Sequence, residues 1–106
     1  MAFTSSLASS NGVAKITLVG ELDAAATPAF KTDVEAAAAA QVTKLVLDLS
    51  ELNYMSSAGL RALIFAKQKM GSSAEIIMVG VQESVRETLE MTGFQNSVTL
   101  VDSYEG

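Results

Sequence analysis

The stretch KLVLDLSELNYMSSAGLRALIFAKQKMG, residues 44–71, predicts a strand, a polar loop and a helix in that order. Residues 44–49 form a short and nearly continuous apolar run, which is typical of a central strand buried on both faces. The polar loop occupies residues 50–55. Apolar side chains then recur at spacings of three and four residues, which indicates a helix that ends at Gly71.

The sequence after this stretch repeats the alternation of strand and helix. Residues 75–79 form a second continuous apolar strand. A further helical pattern begins near Gln82, and Gly93 ends it in the manner of a glycine just past a helix C-terminus. Residues 98–101 are a last short strand. Each helix in this half of the chain therefore connects two strands.

The sequence before the stretch predicts a hairpin and one more helix. Residues 13–20 alternate between two faces as a half-buried strand does, and residues 3–7 are a weaker candidate for its partner. The Asn-Gly pair at residues 11–12 is typical of the hairpin turn between them. The Thr-Pro pair at residues 27–28 predicts an N-cap and a first helical position, in a helix that ends at about residue 40.

The resulting order β-β-α-β-α-β-α-β predicts an α/β domain. We expect a mixed, mostly parallel sheet of four to five strands, with an antiparallel N-terminal strand and three or more helices. Such sheets bind their ligands and partners at the carboxyl ends of the parallel strands. Two segments fall at that edge: Glu-Leu-Asp at residues 21–23 and the loop at residues 54–59.

The composition excludes several classes of chemistry. The 106 residues include no His, Cys or Trp, so a Ser-His-Asp triad, a thiolate zinc site and a disulfide framework lack their essential residues. The carboxylates have no His partner and no calcium-loop spacing, and we expect neither a metal nor a cofactor. A formal net charge of −5, from 7 basic and 12 acidic residues, disfavours direct binding to nucleic acid.

The distribution of apolar residues predicts where the chain resides. No apolar run approaches the ~20 residues of a membrane span. The first ten residues contain neither the basic residue nor the apolar core of a signal peptide. We therefore expect a cytoplasmic protein with no membrane insertion.

With those classes of chemistry excluded, the candidate functional groups are the hydroxyls of two serines at the start of the second helix. Ser56 has the position of an N-cap, and Ser57 would then lie in the first turn, where free N–H groups and the helix dipole accommodate an anion. Capping alone explains many such serine pairs, and Asp23 and Asp48 have equally ordinary roles in turns and loops. Because neither hydroxyl has an evident base, Ser57 is better interpreted as a substrate than as a nucleophile. We expect no enzyme activity and no catalytic residue.

Four motifs in order resemble the STAS domain family, and within it the bacterial anti-sigma factor antagonists. They are Gly-Glu-Leu-Asp-Ala at 20–24, Leu-Val-Leu-Asp-Leu-Ser at 45–50, Tyr-Met-Ser-Ser-Ala-Gly-Leu-Arg-Ala-Leu at 54–63 and Thr-Gly-Phe at 92–94. The resemblance covers nearly the whole chain and implies a single STAS domain over residues 1–106. Each motif alone is weak, but the four in this order are fairly specific.

The resemblance implies a switch between proteins. Family members bind an anti-sigma factor that is itself a serine kinase, which releases the sigma factor. The kinase then phosphorylates a serine that corresponds to Ser57, and a serine phosphatase reverses this. Ser56 stands where many members have Asp, and it is an alternative phosphorylation site.

By position in these motifs, the partner-binding residues are Glu21, Asp23, Tyr54, Met55, Ser56, Ser57, Ala58, Gly59, Leu60 and Arg61. Two other functions stay open. One is a STAS interaction subunit of a signalling or lipid-transport assembly that is not phosphorylated. The other is a module that binds a nucleotide or another small ligand in the same crevice.

Overall fold

A computed structural model describes residues 3–71 and 74–102 as five strands, three helices and a short 3₁₀ helix. In chain order they are β1 (Thr4–Ser10), β2 (Val13–Leu22), α1 (Thr27–Ala39), β3 (Lys44–Met55), α2 (Ser57–Met70), β4 (Glu75–Val79), α3 (Glu83–Glu90), the 3₁₀ helix (Phe94–Ser97) and β5 (Thr99–Val101). The order of elements is the one predicted from the sequence.

The five strands form one sheet in the order β1-β2-β3-β4-β5. β1 is antiparallel to β2, and every other neighbouring pair is parallel. The hairpin between β1 and β2 turns at Asn11 and Gly12, which have φ angles of 53° and 80°. Both angles lie in the left-handed region that a type I′ turn requires. The predicted α/β class, with its antiparallel N-terminal strand, is confirmed.

The core lies between the sheet and the helices. Ile16 and Leu18 on β2, Phe30 on α1 and Leu63 on α2 are almost completely buried in it. Burial of each such side chain stabilises the fold by about 2 kcal/mol. Val46 on β3 is also 0% exposed, although it lies outside this cluster. The first half of β3 is thus buried on both faces, as its sequence predicts.

The prediction of a polar loop at residues 50–55 is wrong, because β3 continues to Met55. This second half pairs with the end of β2, and the pairing is interrupted by two register shifts. As a result Leu49, Leu52 and Met55 are buried at intervals of three residues instead of two. A strand with bulges lacks the strict alternation by which a strand is read from sequence.

The prediction that Thr27 caps α1 is also wrong. Ala26 occupies the N-cap position and Thr27 is the first helical residue, while its hydroxyl donates to the Ala24 carbonyl at 3.0 Å. The Asp23 carboxylate instead accepts a hydrogen bond from the Ala26 N–H at 3.0 Å. Asp23 therefore holds the turn between β2 and α1, and Pro28 is the second helical residue and not, as the sequence predicts, the first.

The ends of the other helices match the sequence more closely. α2 ends at Met70 and is capped by Gly71, whose φ angle is 78°, and Gly93 has a φ angle of 75° after α3. α3 itself ends at Glu90, so a short turn separates it from Gly93. No helix in the described part of the chain is long and apolar enough to span a membrane.

Candidate functional site

The site forms where α2 begins beside the ends of two parallel strands. Leu22 at the end of β2 pairs with Met55 at the end of β3. The Ser56 N–H donates to the Leu22 carbonyl at 3.0 Å, and the Ser56 hydroxyl donates to the same carbonyl at 3.4 Å. The first turn of α2 is therefore attached directly to the sheet.

Gly59 allows this close approach of helix and sheet. A Cβ atom at this position would lie 2.5 Å from the Leu22 carbonyl oxygen and 2.9 Å from Met55 Cγ. Carbon atoms do not approach a backbone oxygen so closely without a shift of the surrounding structure. The glycine in the Ser-Ala-Gly-Leu motif is thus required by packing, whatever else it contributes.

Ser56 caps α2, as its sequence position predicts. Its hydroxyl oxygen accepts a hydrogen bond from the Gly59 N–H at 3.2 Å, and its backbone has an extended conformation. Such a side chain satisfies one of the N–H groups that have no partner inside the helix. The Ser56 hydroxyl is consequently occupied both as a donor and as an acceptor.

We expect Ser56→Ala to lower the free energy of unfolding by about 1 kcal/mol, because the cap and the bond to Leu22 are both lost. Urea denaturation measures this change. Ser57→Ala is a matched control, since it removes the neighbouring hydroxyl, and we expect it to change stability by less than about 0.5 kcal/mol. Equal effects of the two substitutions would contradict the capping role.

Ser57 is the first residue of α2, and its side chain is exposed. Within residues 3–71 and 74–102, its hydroxyl makes no hydrogen bond. The first turn of α2 contains no acidic residue, so no carboxylate already occupies the positive end of the helix dipole. The hydroxyl is therefore accessible to another protein, in surroundings that tolerate negative charge.

A cavity of about 300 Å³ opens beside Ser57. Its lining residues come from the end of β3, the start of α2 and the end of α3, and they are Tyr54, Met55, Ser56, Ser57, Leu60, Thr88, Met91 and Thr92. Tyr54 is 48% exposed and Met91 is 83% exposed. In the part of the chain that the structure describes, these are the only large hydrophobic side chains that are exposed, and both line this cavity.

α3 is held against the site by two hydroxyl groups. Ser84 Oγ donates to the Asn53 carbonyl at 2.8 Å, and the Thr88 hydroxyl lies between two acceptors, the Met55 carbonyl at 3.4 Å and the Ser84 carbonyl of its own helix at 3.3 Å. These bonds bring Met91, just beyond α3, to the start of α2. No pattern in the sequence relates Met91 or Thr88 to Ser57, and the motif that contains Thr92 does not place it there, because only the packing of α3 brings these residues to the Ser57 cavity.

The predicted acidic residues lie at the same edge of the sheet but line a second cavity. Glu21 is exposed and Asp23 is partly buried, and both line a space of about 340 Å³. The other lining residues of this cavity are Phe3, Ala25, Ala26 and Ala29. Hydrogen bonds from Ser56 to Leu22 join the two regions. The structure therefore separates the acidic residues and Ser57 into different cavities.

The remaining predicted site residues differ in exposure. Met55 and Leu60 are 1% and 7% exposed, and Gly59 is buried. Ala58 is partly buried and Arg61 is exposed. Of the apolar residues predicted to bind a partner, Tyr54 thus presents the most surface.

Asp48, an acidic residue within β3, has a structural role among the described residues. Asp48 accepts hydrogen bonds from the N–H and the hydroxyl of Ser50, at 3.1 and 2.8 Å, and its carboxylate lies 4.0 Å from the Lys15 ammonium. In residues 3–71 and 74–102, no three acidic side chains cluster as metal ligands would. Asp48 therefore stabilises the irregular part of β3.

The chain belongs to the STAS domain family, whose profile matches residues 5–106. It is similar to BtrV of Bordetella bronchiseptica, which is named as an anti-sigma factor antagonist. The two are 38% identical over 93 residues, which cover 83% of this chain and 80% of BtrV. The resemblance predicted from the four motifs is confirmed.

Solved structures show the same fold. An anti-sigma factor antagonist from Mycobacterium paratuberculosis superposes with a TM-score of 0.86 at 25% identity, over 96% of this chain and 87% of its own. Bacillus SpoIIAA superposes in its unphosphorylated form with a TM-score of 0.75 at 20% identity, over 97% of this chain and 90% of its own. The phosphorylated form of SpoIIAA superposes with a TM-score of 0.73 at 19% identity, over 98% of this chain and 93% of its own. These relatives support a regulatory role as an anti-sigma factor antagonist.

Proposed function

We propose that this protein binds an anti-sigma factor serine kinase while Ser57 is unmodified, and that phosphorylation of Ser57 ends the binding. Binding of the kinase releases the sigma factor, and a serine phosphatase restores the active form. The observation that carries this proposal is the position of Ser57. Its free hydroxyl lies at the rim of the cavity that Tyr54 and Met91 line.

Hydrogen bonding favours Ser57 over Ser56 as the phosphorylation site. Phosphoryl transfer forms a bond between a serine Oγ and the γ-phosphorus of ATP, while ADP departs and a base of the kinase takes the hydroxyl proton. The Ser56 hydroxyl already bonds Gly59 and Leu22, so its modification would break the N-cap. The Ser57 hydroxyl has no such bond within the described residues.

The environment of Ser57 explains how a phosphate group would prevent binding. Exposed aromatic and thioether side chains such as Tyr54 and Met91 are well suited to a protein interface, where a partner excludes water from them. A phosphate group adds a charge of about −1.5 to −2 at the rim of this surface. A hundredfold loss of affinity needs about 2.7 kcal/mol, which desolvation of such an anion readily supplies.

The relatives support the proposal in a general way. BtrV and the mycobacterial structure are named for antagonism of anti-sigma factors. SpoIIAA is a protein of the same fold that has been solved with and without a phosphate group. Similarity to these proteins favours a protein over a small ligand as the molecule that binds at the Ser57 cavity.

Phosphorylation by the cognate kinase tests the proposal. We expect incubation with this kinase and ATP to add one phosphate per chain, and mass spectrometry of proteolytic fragments to find it on Ser57. Ser57→Ala is expected to abolish the incorporation of phosphate. Ser56→Ala keeps the Ser57 hydroxyl, so the protein with this substitution is expected to be phosphorylated still.

Phosphate on Ser56 instead of Ser57 would overturn the choice of site. Absence of phosphate from the chain, both in this assay and in cells, would overturn the switch itself. In that case stable purification with a transporter or signalling subunit would support the function of an unswitched STAS subunit.

A further inference from the structure

Arg61 is an exposed cation one helical turn after Ser57 on α2. In the part of the chain that the structure describes, its guanidinium makes no hydrogen bond and no ion pair. An unpaired guanidinium presents five N–H donors to solvent and carries a positive charge. Arg61 is thus available to an anion that the unmodified chain does not carry.

The neighbours of Arg61 on α2 provide no such anion. Residues three and four positions away on the same helix are Ser57, Ala58, Ile64 and Phe65, and none of them is acidic. The ring of Phe65 already has the Lys31 ammonium 5.1 Å from its centre. Ser57 is therefore the one neighbour on this face that can acquire a negative charge.

Helix geometry brings the two side chains together. Cβ atoms four residues apart on a helix lie about 6 Å from each other. Each Cα–Cβ bond is tilted toward the helix N-terminus, which directs the longer Arg61 side chain toward the turn that begins with Ser57. A guanidinium plane also matches two oxygens of a phosphate group in a bidentate pair.

We propose that Arg61 is the intramolecular partner of the phosphate group on Ser57, and that it holds the phosphoserine side chain against the first turn of α2. This inference rests on the proposed modification of Ser57. Arg61 would act only in the phosphorylated protein. There its guanidinium neutralises part of the charge of the phosphate group and fixes the position of that group. The phosphatase must then break the Arg61 contact before it can reach the phosphate.

Titration of phosphoserine in the full chain tests this pairing. Genetic code expansion places phosphoserine at position 57 without any kinase, and the ³¹P chemical shift is followed against pH. We expect the second pKa of the phosphate to be about 0.3 unit lower in the wild-type background than with Arg61→Gln, because the guanidinium favours the dianion. Arg61→Lys should give an intermediate value, since it keeps the charge but loses the fork.

Lys69→Gln is the matched control, because it removes the same charge from α2 at a position about 18 Å along the helix from Ser57. We expect it to leave the phosphate pKa unchanged. The thermal midpoint gives a second measurement: Arg61→Gln should lower it by about 2 °C in the phosphorylated protein and leave it unchanged in the unmodified one.

Two results would overturn the pairing. One is an equal phosphate pKa with and without Arg61, and the other is a shift from Lys69→Gln as large as that from Arg61→Gln. Because the phosphate is installed without an enzyme, this outcome is separate from the proposed switch. If the kinase does not phosphorylate Ser57, the proposed switch is wrong. The titration of the installed phosphoserine still tests the role of Arg61.

Discussion

Gly59→Ala is expected to lower the free energy of unfolding by about 3 kcal/mol. In an ordinary helix this substitution would stabilise the chain by up to about 1 kcal/mol, because alanine has the higher helix propensity. Here the added methyl group would lie 2.5 Å from the Leu22 carbonyl oxygen. That oxygen belongs to the backbone at the end of β2 and cannot rotate away, so α2 must move from the sheet. Urea denaturation measures the loss.

Gly71→Ala is the control for the Gly59 substitution. Gly71 has a φ angle of 78°, and among residues 3–71 and 74–102 no heavy atom beyond its chain neighbours lies within 4 Å of a Cβ atom built there. Its ψ angle of −179° places it in a region that essentially only glycine adopts, so alanine meets backbone strain alone, and we expect a cost of about 2 kcal/mol. A Gly59→Ala protein as stable as the wild type would show that α2 is not held this close to β2.

Ser57→Asp is expected to weaken binding of the anti-sigma factor kinase about a hundredfold, whereas Ser57→Ala should stay within about threefold of the wild type. The aspartate places a fixed negative charge beside Tyr54 and Met91, where a bound partner would exclude water from it. The alanine keeps that surface neutral. Isothermal titration calorimetry with the kinase measures both affinities.

Ser9→Asp is the matched control for charge. Ser9 is an exposed residue of β1 that pairs with Ala14, at the opposite end of the sheet from the Ser57 cavity. The substitution makes the same change in net charge, and we expect no loss of affinity. If Ser9→Asp weakened binding as much as Ser57→Asp, overall charge and not the position of Ser57 would control the interaction.

Local signals in the sequence were sufficient for most of the fold. The bounds of β4 agree with the apolar run at residues 75–79. The cap by Ser56 was also predictable, because it joins a side chain to an N–H only three residues away. The bounds of a strand and a helix cap depend on residues that are close together in the chain, so their spacing can be read directly from the sequence.

Features that depend on several elements were not predictable in this way. The second half of β3 has the sequence pattern of a loop, because its register shifts against β2 remove the alternation of buried and exposed residues. Met91 was missed because nothing near it in the chain relates it to Ser57. Its place in the cavity follows from hydrogen bonds between α3 and the end of β3.

The order of the strands bears on how the chain folds. Each strand pairs with the strand that precedes it in the sequence, so every β pairing joins consecutive strands. Closing a long loop costs entropy and slows the folding of sheets with remote partners. A chain emerging from the ribosome can therefore add its strands one after another. On this order of assembly the Ser57 cavity would be completed only once α3 has been added, because α3 brings Met91 against the earlier elements.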